Sequence, residues 1–435
     1  MYDLGLINGE IFLNNSYQKR NVYVRDGVIM RISTEVLDAV EYYDCEYLHI
    51  FPGIIDPHTH FDLDLGTRRS QDDFKHGTKA AAFGGVTTII DFLAPVDNKI
   101  DLVKEFNKRV AEAKESMIDY KFHACVKDPN GNIVEVVEGM QELGLNTVKI
   151  FTTYSDSLRR TYDPEIFELL LLSDTHDFLV TAHIEADDMI LLNDDFTYQQ
   201  LPVSRPTIAE SSEALKLAQM VKETNGNLYM VHCSSGRTLE LLKENYSDIL
   251  NKKFFIESCP HYFAFNDEAL KEQYGYLFTM APPLRSREEQ SLLHKHLEDV
   301  YTIGTDHCTF NMLDKDVELL KDMPLGIGGV EYSFDVLYTL LGEEVVDKMT
   351  LNVAKAHKLF PQKGIIQEGS DADFFIYKFF DNEITENHSN TDHYLYKNYK
   401  VKGQVISTIS RGAFVVKDRE LCKHTGQLLN KVVKQ

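Results

Sequence analysis

Short apolar, β-prone runs recur along the chain at 50–55, 86–92, 120–126, 147–148, 178–182, 228–231, 254–259 and 301–304. Between them lie stretches whose apolar positions repeat with helical period, among them 102–114, 166–175, 210–223 and 288–298. Eight strands alternating with helices predict an α/β fold, a closed parallel (β/α)8 barrel of TIM type, with its active site at the carboxyl ends of the strands. The chain has 435 residues, against about 250 for a typical barrel, so a second unit is expected. Strand-like stretches at 4–13, 20–28 and 30–33, with partners at 374–379 and 401–416, predict a small β-sandwich built from both chain ends. The expected division is a sandwich from 1–51 and 360–415, a catalytic barrel at 52–359, and a tail at 416–435. In that tail Leu428, Leu429, Val432 and Val433 recur at helix-like spacing, suited to packing on another subunit.

Residues able to hold metal stand beside these runs. In Asp56-Pro57-His58-Thr59-His60 the two histidines are at i and i+2, so on a strand they share a face, where two neutral imidazoles can clasp one divalent ion. Taken alone, His-x-His reads as easily as a pair of ordinary histidines. Lys149, His183, His232 and Asp306, each beside or just after an apolar run, change that reading. An ammonium repels a metal, and a lone lysine at a strand end suggests a salt bridge or a phosphate site. Desolvation favours the neutral amine, however, and a neutral amine reacts with carbon dioxide to form a carbamate whose two oxygens can bridge two metals. Together the six residues form the ligand pattern of a two-metal hydrolase laid around a barrel.

With these residues the chain resembles the cyclic amidohydrolases, in particular the dihydropyrimidinase and D-hydantoinase branch of the amidohydrolase superfamily. The resemblance runs from Val24-Arg25-Asp26-Gly27 through Phe51-Pro52-Gly53-Ile54-Ile55-Asp56-Pro57-His58-Thr59-His60 and the segment 81–92 to Thr305-Asp306-His307-Cys308, Gly369-Ser370-Asp371-Ala372-Asp373 and Arg411-Gly412. It implies that His58, His60 and Asp306 bind the more buried metal, that His183 and His232 bind the second, and that N6-carboxylated Lys149 bridges the two. Zinc is the expected metal, and manganese and cobalt suit the same donors. It further implies that Asp306 takes the proton of the attacking water and returns it to the leaving nitrogen, and that Tyr154 donates a hydrogen bond to the developing oxyanion. The implied reaction opens the cyclic amide of a dihydropyrimidine or hydantoin to an N-carbamoyl amino acid, with association into a homo-oligomer, a tetramer or a dimer.

Substrate choice follows from where the chain departs from its relatives. The family's imide-holding segments, Ser-Pro-Pro-Leu-Arg and Ile-Pro-Asn-Gly, read here Ala281-Pro282-Pro283-Leu284-Arg285 and Met323-Pro324-Leu325-Gly326. Main-chain contacts at Ala281 and Leu325 survive such replacements, and any side-chain share of recognition is lost. Dihydroorotases carry an arginine where this chain has Asp62, which disfavours dihydroorotate. An allantoinase is the closest competitor, since its metal site would look the same. A mononuclear barrel deaminase would not need Lys149, and a non-catalytic scaffold homologue would be expected to have lost ligands. Arg68, Arg69, Arg159 and Arg160 flank loops expected at the barrel mouth. The plain reading is solvated surface charge; the alternative is that one or two of them bind an acidic or carbamoyl-bearing ring substituent.

Charge and cysteine usage narrow the setting. A net charge of −23 argues against nucleic acid, which needs clustered Lys and Arg. With no basic-then-apolar leader and no apolar run near the ~20 residues of a span, no membrane partner and a cytoplasmic location are expected. The six cysteines form no Cys-x-x-Cys pair, so reduced thiols are expected. Cys233, Cys308, His261 and His307, although close to candidate ligands, are expected to pack rather than ligate.

Overall fold

In the computed structural model, residues 1–66, 68–129 and 132–429 are described. Eight parallel strands form one sheet in sequence order: β1 (Ile54–Thr59), β2 (Val86–Phe92), β3 (Asp119–Cys125), β4 (Thr147–Phe151), β5 (Leu179–His183), β6 (Leu228–Met230), β7 (Phe254–Ser258) and β8 (Thr302–Ile303). The ring closes where Thr59 bridges His307 in parallel and the amide of His60 donates to the His307 carbonyl at 2.8 Å. Helices such as Lys99–Glu112, Asp163–His176, Thr207–Thr224 and Arg287–Lys295 coat the outside. In Thr207–Thr224 the buried Ala214, Leu217, Ala218 and Val221 follow i, i+3, i+4, i+7, the stripe that faces a sheet. Covered outside by helices and filled inside by its own side chains, the barrel has strands buried on both faces, which is why they read as continuous apolar runs.

The chain ends supply two further sheets. A four-stranded sheet holds Val28–Ser33, Asn21–Arg25, Tyr2–Ile7 and Ala39–Asp44. A seven-stranded sheet joins Glu10–Leu13, Ser16–Lys19 and His49–Pro52 to Phe374–Lys378, Gln404–Ser410, Ala413–Lys417 and Glu420–Leu421. Leu4, Leu6, Val22, Val24 and Ile29 of the first meet Ile11, Ile50, Phe374, Ile376 and Ile409 of the second in one apolar core. The whole is therefore a (β/α)8 barrel with a small β-sandwich built from both ends.

Three runs behave differently from the reading of the sequence. The run 50–55 belongs to two sheets: His49–Pro52 pairs with Phe374–Lys378 in the sandwich, and the barrel strand starts at Ile54. Gly53 makes the crossing, at a point where a Cβ would lie 2.2 Å from Thr87 Oγ1. The stretch 4–13 likewise divides between sheets, turning at Asn8, whose φ is +67°. The tail is extended rather than helical over its described part: Leu428 bridges Tyr120, and Leu428 and Leu429 pack on this chain's own barrel, while Val432 and Val433 lie outside the described residues. Among the described residues, no helix is long and apolar enough to cross a membrane.

Candidate metal centre and active site

A cavity of about 280 Å³ opens at the carboxyl ends of the barrel strands, and His58, His60, Lys149, His183, His232 and Asp306 all line it. His58 lies inside β1 and His60 just beyond its end, with ring centroids 5.2 Å apart. Asp306 Oδ1 stands 3.1 Å from the Nε2 atoms of both. One ligand atom from each of these three residues can be chosen so that all lie within 4.8 Å of one another, a group able to hold a divalent ion. His183 ends β5 and His232 follows β6 by two residues, their rings 4.5 Å apart, and the His232 ring is 5.4 Å from that of His58. Lys149, in mid β4, is buried; its Nζ lies 5.1 Å from the centroid of Phe92 and 5.2 Å from that of Phe151, with no carboxylate at ion-pair distance among the described residues. His232 Nδ1 is buried without a hydrogen-bond partner among those residues. An orphaned imidazole nitrogen amid other imidazoles and a carboxylate fits a metal ion.

Neighbouring carboxylates orient these histidines. Glu257 Oε1 lies 2.7 Å from His58 Nδ1 and accepts from the amide of His232 at 3.1 Å, while Tyr229 donates its hydroxyl to Oε2 at 2.8 Å. Glu185 Oε2 lies 2.7 Å from His183 Nε2 and also pairs with Arg205. A carboxylate on one ring nitrogen turns the other towards the cavity. Asp91 accepts from Thr59 Oγ1 at 3.0 Å and from the Phe61 amide at 2.9 Å, and Arg109 spans Asp91 and the Phe61 carbonyl, which fixes the turn after β1. Gly304 lets β8 approach: a Cβ there would lie 2.9 Å from both the Glu257 carboxylate and His58 Cβ. Reasoning from the sequence missed Glu257, Glu185, Arg205 and Asp91. The available signal was a carboxylate inside an apolar strand run, present at Asp91 and Glu257.

Burial and charge set the protonation of these groups. Burial pushes the Lys149 ammonium down to about 8, against the pull of Asp306 and Glu257. Burial also carries His183 down to about 4 and His232 well below the ordinary histidine value. For His58 burial acts downwards too, but Glu257 and Asp306 outweigh it and raise it to about 9. Burial opposes the charge on Asp306, yet His58 and His60 hold its carboxyl well below the usual range. His232, Asp306 and Tyr154, which line the cavity, have φ values of +40°, +51° and +69°, a left-handed backbone that costs strain in residues other than glycine.

The remaining candidates divide clearly. Tyr154, Ala281 and Leu325 line the cavity. The Tyr154 ring lies 5.1 Å from that of His183 with the Arg205 guanidinium 4.8 Å over it, and burial raises its phenol, so the hydroxyl remains a donor. Asp62 also lines the cavity but is bonded by Arg69 at 2.9 Å. Arg68 is spent on the Asp314 carbonyl and Arg160 on Asp187, leaving Arg159 as the member of that set lining the cavity. His307 bonds Asp72 at 2.8 Å and serves structure.

Residues 49–415 match the Amidohydrolase family, and the chain belongs to it. Within that family it falls in the dihydropyrimidinase and hydantoinase branch of hydrolases acting on cyclic amides. It is 29% identical over 437 residues to a D-phenylhydantoinase of Escherichia coli O81 (strain ED1a), with 94% of each chain covered. A crystal structure of a D-hydantoinase superposes with a TM-score of 0.93 at 27% identity, covering 99% of both chains. The D-hydantoinase (dihydropyrimidinase) from a Thermus species gives 0.92 at 28% identity, covering 98% of this chain and 99% of its own.

Proposed function

We propose that this chain hydrolyses the cyclic amide bond of a dihydropyrimidine or hydantoin ring, giving an N-carbamoyl amino acid. One observation carries the reading: all six ligand side chains implied by the sequence line a single cavity at the barrel's catalytic end. His58, His60 and Asp306 would hold one divalent ion, His183 and His232 a second, with carboxylated Lys149 joining them and zinc the expected metal. When bound, such a pair supplies Lewis acidity and brings the ionisation of water near neutrality. Asp306 accepts the proton of the water as its oxygen bonds to the ring carbonyl carbon, then delivers that proton to the nitrogen as the C–N bond breaks. Tyr154 donates to the carbonyl oxygen as it gathers charge. Main-chain groups at Ala281 and Leu325 hold the imide. The same reading takes the protein to be a cytoplasmic homo-oligomer.

Replacing Tyr154 by Phe is expected to lower kcat by about 10²–10³ with a smaller change in KM. An unchanged kcat removes that role. The reading as a whole is tested by assaying the zinc-loaded protein on dihydrouracil, hydantoins, allantoin and dihydroorotate. Turnover of the first two classes to carbamoyl products is expected, and activity confined to allantoin or dihydroorotate would overturn the assignment.

A further inference from the structure

The cavity rim carries several charges, and nearly all are matched. Asp62 and Asp64 face Arg69 at 2.9 and 3.6 Å, Glu105 faces Lys108 at 3.6 Å, and Arg109 is held by Asp91 and Glu112. Arg159 is the exception. Arg159 lines the cavity with no carboxylate at ion-pair distance among the described residues, and its guanidinium stands over the ring of Tyr154, 5.9 Å from the centroid. It is half-buried, and the lining it shares also carries the apolar side chains of Leu63, Leu65 and Leu325. Its charge reaches inward: burial pushes the Tyr154 phenol and the Cys125 thiol up, and Arg159 is among the charges opposing that push at both.

We propose that Arg159 is a specificity-determining residue that receives a carboxylate carried on a flexible substituent of the ring, so that acidic cyclic amides are the preferred substrates. The inference rests on the ring-opening activity proposed above and adds its substrate class. A half-buried guanidinium without a carboxylate partner gains more from a carboxylate than from a neutral isostere, because two parallel charge-assisted hydrogen bonds form. The carboxylates of Asp62, Asp64 and Glu105 do not compete for Arg159, being engaged by Arg69 and Lys108.

The test compares the zinc-loaded enzyme on a hydantoin bearing a propionate side chain and on its propionamide isostere. The wild type is expected to favour the propionate by about tenfold or more in kcat/KM, mainly through KM. R159Q is expected to abolish that ratio, R159K to keep part of it, and R160Q, whose guanidinium is bound to Asp187, to keep it whole. A wild-type enzyme that opens both rings equally well, or an R159Q variant with the wild-type ratio, overturns the proposal. If neither ring is opened, the proposed activity fails, and calorimetric binding of the same two compounds decides for Arg159. Tighter binding of the propionate by the wild type but not by R159Q supports the role, and equal affinities overturn it.

Discussion

Glu257 joins three parts of the candidate metal site: it meets His58 Nδ1, takes the His232 amide, and is held by Tyr229. Its carboxylate fixes which nitrogen of His58 faces the cavity. Glu257→Gln is therefore expected to weaken zinc binding about 10–100-fold, measured by competition with a chromogenic chelator. Unchanged affinity would mean that His58 is oriented by packing alone. At this scale the candidate ligands, which share one cavity, were legible because histidine and aspartate after an apolar run need a reason to be there. The partners of Glu257 were not, because a carboxylate near the end of Phe254–Ser258 meets residues of β1 and β6 only once the ring brings them around one interior. Arg69 left two readings open for a local reason. Substrate binding stood as the alternative to solvated surface charge, and the Arg69 partners Asp62 and Asp64 were within seven residues.

Elements meet around Asp72, after β1, which accepts from His307 at 2.8 Å and from Thr309 at 3.0 Å, and also takes the amide of Asn390 at 2.7 Å. One carboxylate thus ties the segments after β1 and β8 to the stretch near 390. Burial pushes Asp72 up, but the hydrogen bonds, above all from His307, outweigh it and bring it to about 2 from 3.8. A folded value below the unfolded one stabilises the protein above the unfolded value and loses that contribution as pH falls. Asp72→Asn is expected to cost roughly 2 kcal/mol in urea unfolding near neutrality. The gap should narrow as pH drops from about 4 towards 2; a gap that does not change with pH would contradict the linkage. The barrel was legible at this scale because strands buried on both faces leave unbroken apolar runs. The crossing at Gly53 was not, since one apolar run serves two sheets and the break shows only in which strands each half pairs with. The tail's apolar spacing fitted a helix, yet pairing of 427–429 with Tyr120 satisfies the backbone as a strand.

For the whole molecule, a cavity whose floor gathers four histidines, an aspartate and a buried lysine has a folded state that metal would stabilise. A ligand bound only by the folded chain adds about 2.7 kcal/mol at a hundredfold excess over Kd. Stripping metal with a chelator is expected to lower the melting temperature by several degrees and to abolish turnover, both restored by zinc. A melting curve indifferent to chelation would contradict this. Lys149 is proposed to join two metal ions as a carbamate, and anomalous diffraction from crystals grown with zinc and bicarbonate can decide it. The account predicts two metal peaks, one against His58, His60 and Asp306 and one against His183 and His232, with continuous density from Lys149 Nζ between them. A single peak, or an unmodified lysine side chain beside an empty floor, would contradict it.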